Sequence, residues 1–314
     1  MQKLSILLPA YNADRYIAQA IKSILSQSYC NFELLIADDG SNDGTRKIIE
    51  SFEDVRIRLF YNKYNIGKVK TCNYLVRESK GYYITIHDAD DWSEHIRFER
   101  QIKFLEKKDF AMCGCDFYQY NGQKRKVIAM PTDYNEIISM LPLSSQFHGP
   151  TIIFRREILS HIGGLYRDFT WGEDIDFTAR VVEKYKASNI SIPLYHYRIH
   201  GKSLTNDLKL LTKDRFINAE LRLYLAKQRE ENGKDCLMLG GGAEFARVKE
   251  QMIKESAISD QEIYYKFSHR LMYLGLFRQS ILAAFFACRS NYSYRNIKNF
   301  IYMTYKFFIR NNGQ

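Results

Sequence analysis

Short apolar runs alternate with amphipathic segments along residues 1–92. Strands are predicted by the apolar runs at 4–8, 32–37, 57–61 and 82–87. Apolar side chains recur about one helical turn apart between Ile17 and Leu25, which predicts a helix. Two further helices are expected at 45–52 and 68–79. Strands and helices that alternate in this way predict an α/β fold, with a mostly parallel sheet and helices on both faces.

The pattern is looser beyond residue 92. Strands are predicted at 110–120, 151–155 and 190–197, and helices at 157–161 and 174–184. From about residue 206 the chain is predicted to be mainly helical, with a break at the glycines 240–242. We therefore expect one α/β domain at 1–205, made of halves 1–92 and 93–205. A helical C-terminal extension is expected at 206–314.

Composition narrows the class of protein. Hydrophobic residues make up 46% of the 314 positions, enough for a substantial core. The six cysteines show no CxxC pair and no metal-binding spacing, so we expect buried thiols and a reducing cytoplasm. No signal peptide pattern opens the chain, and the longest apolar run, 281–288, is too short to span a membrane. The expected location is cytoplasmic, either soluble or peripheral at the inner face of the cell membrane.

The net charge of +10 is concentrated near the C-terminus. Residues 261–314 carry eight Lys or Arg and one acid, Glu262, among many aromatic residues. A basic and aromatic surface suits an anionic membrane interface. The same pattern suits a helical subdomain whose aromatic residues form a core or contacts between subunits. The sequence leaves both open, whereas nucleic-acid binding lacks a recognisable module.

Polar residues follow three of the predicted strands. In parallel sheets, ligands bind outside the carboxyl ends of the strands. One such end carries Asp88 and Asp90, which are suited to hold Mn²⁺ or Mg²⁺ together with diphosphate oxygens. Taken alone, an acidic pair is equally typical of a solvated loop. A second strand end carries Asp39, which could accept a hydrogen bond from uracil or ribose, or could simply form a turn.

Other candidate contacts are weaker when taken singly. Tyr11 could stack on a base or pack at the edge of the core. Gly67 and Lys68 open a helix that contains Asn73, and they could approach a diphosphate. Neither a Walker-type phosphate loop nor a GxGxxG motif is present, which removes the main support for other nucleotide-binding classes.

The segment Trp171–Asp174 supplies candidates for the acceptor side. Trp171 offers a face on which a sugar ring can stack, and Glu173 could contact an acceptor hydroxyl. Asp174 is the candidate general base. Farther on, His200 could contact a metal or a diphosphate, although a histidine in this position could also be an ordinary strand-edge residue.

Taken together, these motifs resemble the family-2 glycosyltransferases, which have the GT-A fold. The resemblance covers roughly residues 3–205. It rests on the motifs at 7–12, 36–41, 65–67, 88–92 and 172–176, with a helix at 18–27 and Asn73.

The resemblance implies an inverting, metal-dependent transfer from a nucleotide-diphosphate sugar, most simply a UDP-sugar. The acceptor would be a carbohydrate or lipid-linked glycan of bacterial surface polysaccharide synthesis. Asp90 and His200 would serve the metal, Asp174 would be the base, and Trp171 and Glu173 would bind the acceptor. The donor nucleotide would contact Pro9, Ala10, Tyr11, Asn12, Asp39, Gly67, Lys68, Asn73, Asp88 and Ala89.

Two other functions remain alternatives at this point. A sugar nucleotidyltransferase can share the architecture, but residues 9–16 lack its usual glycine- and arginine-rich loop. A glycan-binding relative without turnover would also fit the fold. Intact Asp88, Asp90 and Asp174 argue against it.

Overall fold

A computed structural model describes most of the chain. It covers residues 3–122, 124–140, 146–167, 169, 172–200, 213–255, 260–273 and 277–311. The chain divides into two compact units, Met1–Arg198 and Ile199–Gln314.

The first unit is built on one mixed sheet. Its strands are β1 (Leu4–Ala10), β2 (Phe32–Asp38), β3 (Ile57–Tyr61), β4 (Tyr83–Ile86), β5 (Trp92–Ser93), β6 (Met112–Tyr120), β7 (Arg125–Ile128), β8 (Ile153–Arg155) and β9 (Ala187–Arg198). They are ordered β3-β2-β1-β4-β8-β6-β9-β5, with β7 paired to β6. One sheet therefore runs through both of the predicted halves.

Helices pack around this sheet. They are α1 (Ile17–Leu25), α2 (Thr45–Glu50), α3 (Lys68–Glu78), α4 (Arg97–Lys108), α5 (Tyr134–Ser139), α6 (Ile158–His161) and α7 (Glu173–Val182), with a 3-10 turn at Gly149–Thr151. The predicted strands and helices of the first unit are confirmed, with ends that differ by a few residues. The prediction missed α4, α5 and the short strands β5 and β7.

Side chains of the parallel strands alternate between two cores. Leu7 and Leu35 point into one core, which α3 and α7 cover, while Ile6 and Leu34 point into the other, which α1 and α4 cover. Every residue of β2 is buried, as expected for a central strand covered on both faces. The prediction of helices on both faces of the sheet is confirmed.

The strands after β4 are less regular. β8 is antiparallel to both β4 and β6, whereas β9 is parallel to β6 with register shifts around Asp116. β5 is antiparallel to β9 and pairs Trp92 with His196. Because β5 directly follows the strand end that carries Asp88 and Asp90, this pairing ties that strand end to a segment about a hundred residues later in the chain.

The second unit is helical where it is described. Its helices are α8 (Lys213–Asn232), α9 (Gly242–Glu255), α10 (Asp260–Tyr273), α11 (Phe277–Ser290) and α12 (Tyr294–Asn311). The break expected at 240–242 coincides with the end of the segment between α8 and α9, and Gly242 is the first residue of α9. None of the helices in the described ranges is long and apolar enough to cross a bilayer.

Candidate active site

Three carboxylates gather directly after β4, in a segment that we call the acidic loop (residues 88–91). Oxygen atoms of Asp88, Asp90 and Asp91 lie within 4.8 Å of one another. Asp91 is 1% exposed, and its Oδ2 atom has no hydrogen-bond partner among the described residues. Burial, and then the charges of Asp90 and Asp88, raise the pKa of Asp91 well above its ordinary value.

These features fit a divalent cation. Hard cations such as Mg²⁺ and Mn²⁺ prefer oxygen ligands, and a bound cation would balance the repulsion among the three carboxylates. The buried Oδ2 of Asp91 has no hydrogen-bond partner among the described residues, and a cation would supply one, because an unpaired buried polar group is costly. The sequence predicted Asp88 and Asp90 beside the cation, with His200 as a further candidate, and the structure places Asp91 next to the two aspartates.

Lys68 lies beside the acidic loop. Its Nζ is 2.5 Å from Oδ1 of Asp88. Desolvation alone would lower the pKa of Lys68, but the charge of Asp88 holds it well above the ordinary value. Desolvation alone would raise the pKa of Asp88, and Lys68 instead keeps it low. This pair therefore stays charged at neutral pH. The ammonium group of Lys68 then lies beside the space where a diphosphate is predicted.

Asp39 shapes the loop between β3 and α3. Its Oδ1 accepts hydrogen bonds from Asn62 Nδ2 (2.7 Å) and Ile66 N (3.0 Å). Its Oδ2 accepts one from Gly67 N at 2.9 Å. A carboxylate offers about four acceptor positions, so one remains on Oδ2 for a further donor. Asp39 therefore organises this loop and keeps the capacity to contact a nucleotide.

The loop between β3 and α3 closely approaches the turn after β2. Gly40 has a φ of 72°, and a Cβ atom there would lie 2.6 Å from the carbonyl carbon of Tyr64. Only glycine permits both this backbone conformation and this approach. The sequence motif that ends β2 therefore serves to bring the two loops together.

The remaining donor-side candidates differ in exposure. Tyr11 is 45% exposed, as a stacking residue requires. Asn12 has a φ of 49° and bridges to the next turn, since its Oδ1 accepts from Asn42 N at 2.8 Å. The side chains of Ala10 and Ala89 belong to a hydrophobic core, while Pro9 is half-buried at the end of β1.

The side chain of Asn73 makes two hydrogen bonds with the protein backbone that the sequence did not predict. Its Nδ2 donates to the carbonyl of Tyr166 (2.7 Å), and its Oδ1 accepts from Tyr166 N (3.1 Å). The amide thus joins α3 to the segment before α7. A contact of Asn73 with the donor stays a prediction.

Two carboxylates open α7. Gly172, with a φ of 83°, lies just before the helix, and Glu173 and Asp174 are its first two residues. Oδ2 of Asp174 would lie 3.0 Å from a Cβ atom on Gly149, so glycine at 149 leaves room for this carboxylate. Desolvation, and then Asp174, raise the pKa of Glu173 to about 7; the charges of Lys68 and Asp88 also act on it. The start of α7 therefore faces the acidic loop.

A buried ion network holds α7 in place. Asp176, 1% exposed, accepts from Nε of Arg180 at 2.9 Å and also pairs with Arg167. Arg180 in turn donates to the carbonyl oxygens of Ile162, Gly164 and Leu165. The sequence showed these charges, but only the fold shows that they fix the helix that carries Asp174.

Two histidines near the site were also missed. His87 is fully buried, and burial lowers its pKa to about 3. His148 stacks on Phe117 with ring centres 4.1 Å apart, and burial lowers its pKa to about 4. Both imidazoles are neutral at pH 7. The aromatic stacking that identifies His148 joins residues far apart in the sequence, so no local pattern signals it.

Two predicted site residues are not placed relative to the acidic loop. Trp171 lies outside the described residues. His200 belongs to the second unit, Ile199–Gln314. The acceptor role of Trp171 and the metal or diphosphate role of His200 stay predictions.

The parallel part of the sheet, β1 to β4, carries carboxylates at its carboxyl end, which is where α/β proteins bind their ligands. The model of glycosyl transferase family 2 matches residues 5–163, just over half of the chain, and the chain belongs to this family.

Curated relatives include the O-antigen biosynthesis glycosyltransferase WbnJ of Escherichia coli. It is 28% identical over 244 residues, which cover 76% of this chain and 94% of WbnJ. Another is the UDP-Glc:alpha-D-GlcNAc-diphosphoundecaprenol beta-1,3-glucosyltransferase WfaP of E. coli, 29% identical over 65% of this chain and 80% of WfaP.

Solved structures share the fold. S. aureus TarS 1-349 in complex with UDP-GlcNAc superposes with a TM-score of 0.61 at 19% identity, over 99% of this chain and 92% of TarS 1-349. The mannosyltransferase PcManGT from Pyrobaculum calidifontis, in complex with GDP-Man and Mn²⁺, gives 0.52 at 18% identity, over 97% and 85%. The chain is a glycosyltransferase with the GT-A fold, and its relatives include proteins named for the biosynthesis of O-antigen and, putatively, of teichuronic acid.

Proposed function

We propose that the chain is an inverting, metal-dependent glycosyltransferase that moves a sugar from a UDP-sugar to a hydroxyl group of a carbohydrate or lipid-linked glycan. The observation that carries this proposal is the acidic loop facing the two carboxylates at the start of α7. One group is suited to a cation and a diphosphate, and the other is suited to take a proton.

The reaction follows from this arrangement. The acceptor oxygen attacks the anomeric carbon while the bond from that carbon to the diphosphate oxygen breaks. Asp174 takes the proton of the acceptor hydroxyl, and the diphosphate leaves with the bonding electrons on the opposite side. Attack opposite to the leaving group inverts the anomeric configuration. Lys68 lies beside Asp88, where it can also attract the departing diphosphate.

A Mn²⁺ or Mg²⁺ ion held by Asp90 and Asp91, with Asp88 beside them, would neutralise charge on the leaving diphosphate. PcManGT, which shares the fold, is in complex with GDP-Man and Mn²⁺, and this supports the use of a divalent cation. The UDP and UDP-GlcNAc complexes of TarS and the UDP-glucose named for WfaP support a uridine donor. The remaining acceptor position on Asp39 and the exposed ring of Tyr11 suit the base.

The cation is tested by UDP binding. We expect Asp90→Ala to abolish the gain in UDP affinity that Mn²⁺ gives the unaltered protein. Isothermal titration with and without Mn²⁺ measures this gain. Asp54→Ala is the control, because Asp54 is a half-buried carboxylate that precedes β3, at the opposite edge of the parallel strands. Undiminished UDP affinity of Asp90→Ala in the presence of Mn²⁺ would refute the cation site.

The base is tested by separating binding from transfer. We expect Asp174→Asn to bind UDP as the unaltered protein does and to lose transfer by about 10²-fold or more, since general-base catalysis contributes roughly 10²–10⁴-fold. A scan of nucleotide sugars for thermal stabilisation identifies the donor to use. Turnover of Asp174→Asn close to that of the unaltered protein would remove Asp174 as the base.

We further propose that the outward face of α12 contacts an anionic membrane, where lipid-linked acceptors lie. Ile301 and Tyr305 are each 61% exposed on this face, with Tyr294 beside them at 81%. Lys298 and Lys306 are exposed on the same helix, and residues 263–314 contain no acid. Exposed apolar rings flanked by cations complement an anionic lipid surface, which attracts each nearby Lys or Arg by about 1 kcal/mol.

Flotation with vesicles tests this surface. We expect the full chain to float with phosphatidylglycerol vesicles and the double variant Ile301→Ser, Tyr305→Ser to float several-fold less. The control is Val127→Ser, Ile138→Ser, which removes side chains of the first unit that are 49% and 41% exposed. Equal flotation of both variants would refute the membrane contact. A dimer in light scattering that the α12 variant dissociates, without flotation, would identify a subunit interface instead.

A further inference from the structure

Arg198, the last residue of β9, contacts the acidic loop twice. Its backbone N–H donates to Oδ1 of Asp91 at 2.7 Å. Its side-chain Nε donates to the backbone carbonyl of Asp90 at 2.9 Å. The side chain therefore binds the backbone of the acidic loop. The hydrogen bond to the Asp91 carboxylate comes from the main chain of residue 198 and does not depend on its side chain.

The guanidinium of Arg198 is itself held on several sides. It lies 4.6 Å from the ring centre of Tyr16 and 4.6 Å from that of Trp92. Its Nη2 donates to Oε1 of Gln19 on α1 at 2.7 Å. Trp92 in turn stacks on His196, with ring centres 4.5 Å apart and planes 8° apart. The arginine is thus a rigid link between α1, β5 and the acidic loop.

The contacts of Arg198 oppose electrostatic repulsion within the acidic loop. Oxygen atoms of the three carboxylates lie within 4.8 Å of one another, so repulsion between ionised carboxylates of Asp90 and Asp91 favours opening of the loop, while Lys68 balances Asp88. A bond to the backbone of Asp90 opposes this opening. A binding site held in its bound geometry avoids the cost of rearrangement, and the groups that orient metal ligands therefore raise metal affinity.

We propose that Arg198 is a positioning residue that presets the acidic loop for a divalent cation. This inference rests on the proposed cation site. Arginine suits the task because its planar fork donates in two directions and stacks between two rings at the same time. Lysine in its place could donate to Asp90 or to Gln19 but could not keep the whole set of contacts.

The test is the dependence of UDP binding on Mn²⁺ concentration. In Arg198→Ala we expect the half-saturating Mn²⁺ concentration to rise about tenfold or more, which is the usual effect of losing a residue that orients metal ligands. UDP affinity without metal should stay unchanged. Arg198→Lys should give an intermediate rise. Thermal unfolding of both variants checks that the first unit is intact. If Arg198→Ala does not fold, Arg198→Lys is used for the measurement instead.

Arg125→Ala is the matched control. The Arg125 guanidinium lies 4.1 Å over Tyr118, whose ring stacks on His196 at 4.7 Å. It therefore makes the same kind of contact at the far end of the same row of rings. We expect Arg125→Ala to leave the dependence on Mn²⁺ as it is in the unaltered protein.

Three results would overturn the inference. An unchanged Mn²⁺ dependence in Arg198→Ala would show that the loop needs no such link. A loss of UDP affinity in the absence of metal, with unchanged Mn²⁺ dependence, would show that Arg198 contacts the diphosphate directly. If UDP binding by the unaltered protein is indifferent to Mn²⁺, the cation site itself fails, and the inference fails with it.

Discussion

Glu173 carries a charge whose cost depends on pH. Desolvation, and then the neighbouring Asp174, raise its pKa from an ordinary 4.5 to about 7. A carboxyl group with a raised pKa takes up a proton more readily in the folded state than in the unfolded chain. Its contribution to stability is therefore full at low pH and is lost as the pH rises from about 4.5 through about 7.

We expect Glu173→Gln to raise the melting temperature of metal-free protein by a few degrees at about pH 8 and hardly at all at about pH 5. Glutamine stays neutral, so it avoids the cost that the ionised carboxylate adds at the higher pH. Calorimetry at the two pH values measures the difference. The control is Glu183→Gln, which changes an exposed acid at the end of the same helix. Its effect on the melting temperature should be the same at the two pH values. A gain that is no larger at the higher pH would contradict the pKa shift.

At the residue scale, the sequence identified the carboxylates but not their neighbours. Asp88, Asp90, Glu173 and Asp174 follow a strand or open a helix, and local patterns predict such positions. The partners of Asp39 lie 23 to 28 residues away, and those of Asn73 lie 93 residues away. Contacts of this kind arise only when separate elements pack, so sequence patterns did not predict them.

Two glycines with positive φ allow a test at the scale of elements. Gly40 lies in the turn after β2 and meets the backbone of Tyr64, whereas Gly122, between β6 and β7, meets nothing within 4 Å. Alanine at either position costs about 1–2 kcal/mol through backbone strain. Only Gly40→Ala must also displace the loop that Asp39 holds.

We therefore expect Gly40→Ala to weaken UDP binding about tenfold, equivalent to about 1.4 kcal/mol, and Gly122→Ala to leave it unchanged. Both variants should lose stability from the strained backbone, and Gly40→Ala should lose more because its Cβ also meets the backbone of Tyr64. Urea unfolding and titration with UDP measure the two effects. Equal UDP affinity in both variants would show that the approach of the two loops does not shape the donor site.

The prediction of elements worked best where burial was complete. β1, β2 and β4 are mostly apolar and almost fully buried because both faces of the sheet are covered there, whereas β3 is only half-buried. Helix α4 was missed although it is 12 residues long. Its buried face includes Arg97 and Gln101, whose polar atoms are satisfied by Ser93, Thr85 and backbone carbonyls. Polar residues on an inner face interrupt the apolar spacing that marks a helix.

At the scale of the whole molecule, charge is unevenly distributed. The net charge is +10, and residues 263–314 hold eight Lys or Arg without an acid. If α12 contacts lipid, the effect on activity should depend on where the acceptor is. We expect Ile301→Ser, Tyr305→Ser to slow transfer to a lipid-linked acceptor in anionic vesicles several-fold and to leave transfer to a soluble acceptor unchanged. Equal slowing with both acceptors would point to a structural defect.

The bond between Arg198 and Asp91 has a consequence for how the protein is made. Its two residues are 107 positions apart. During synthesis from the N-terminus, β1 to β4 and their helices can pack early, since their contacts are comparatively local. The acidic loop gains its partner only when β9 has emerged and paired with β5. Catalytic competence should therefore be acquired last in folding, so a ribosome-bound or truncated chain that stops before residue 198 would hold a sheet without a finished cation site.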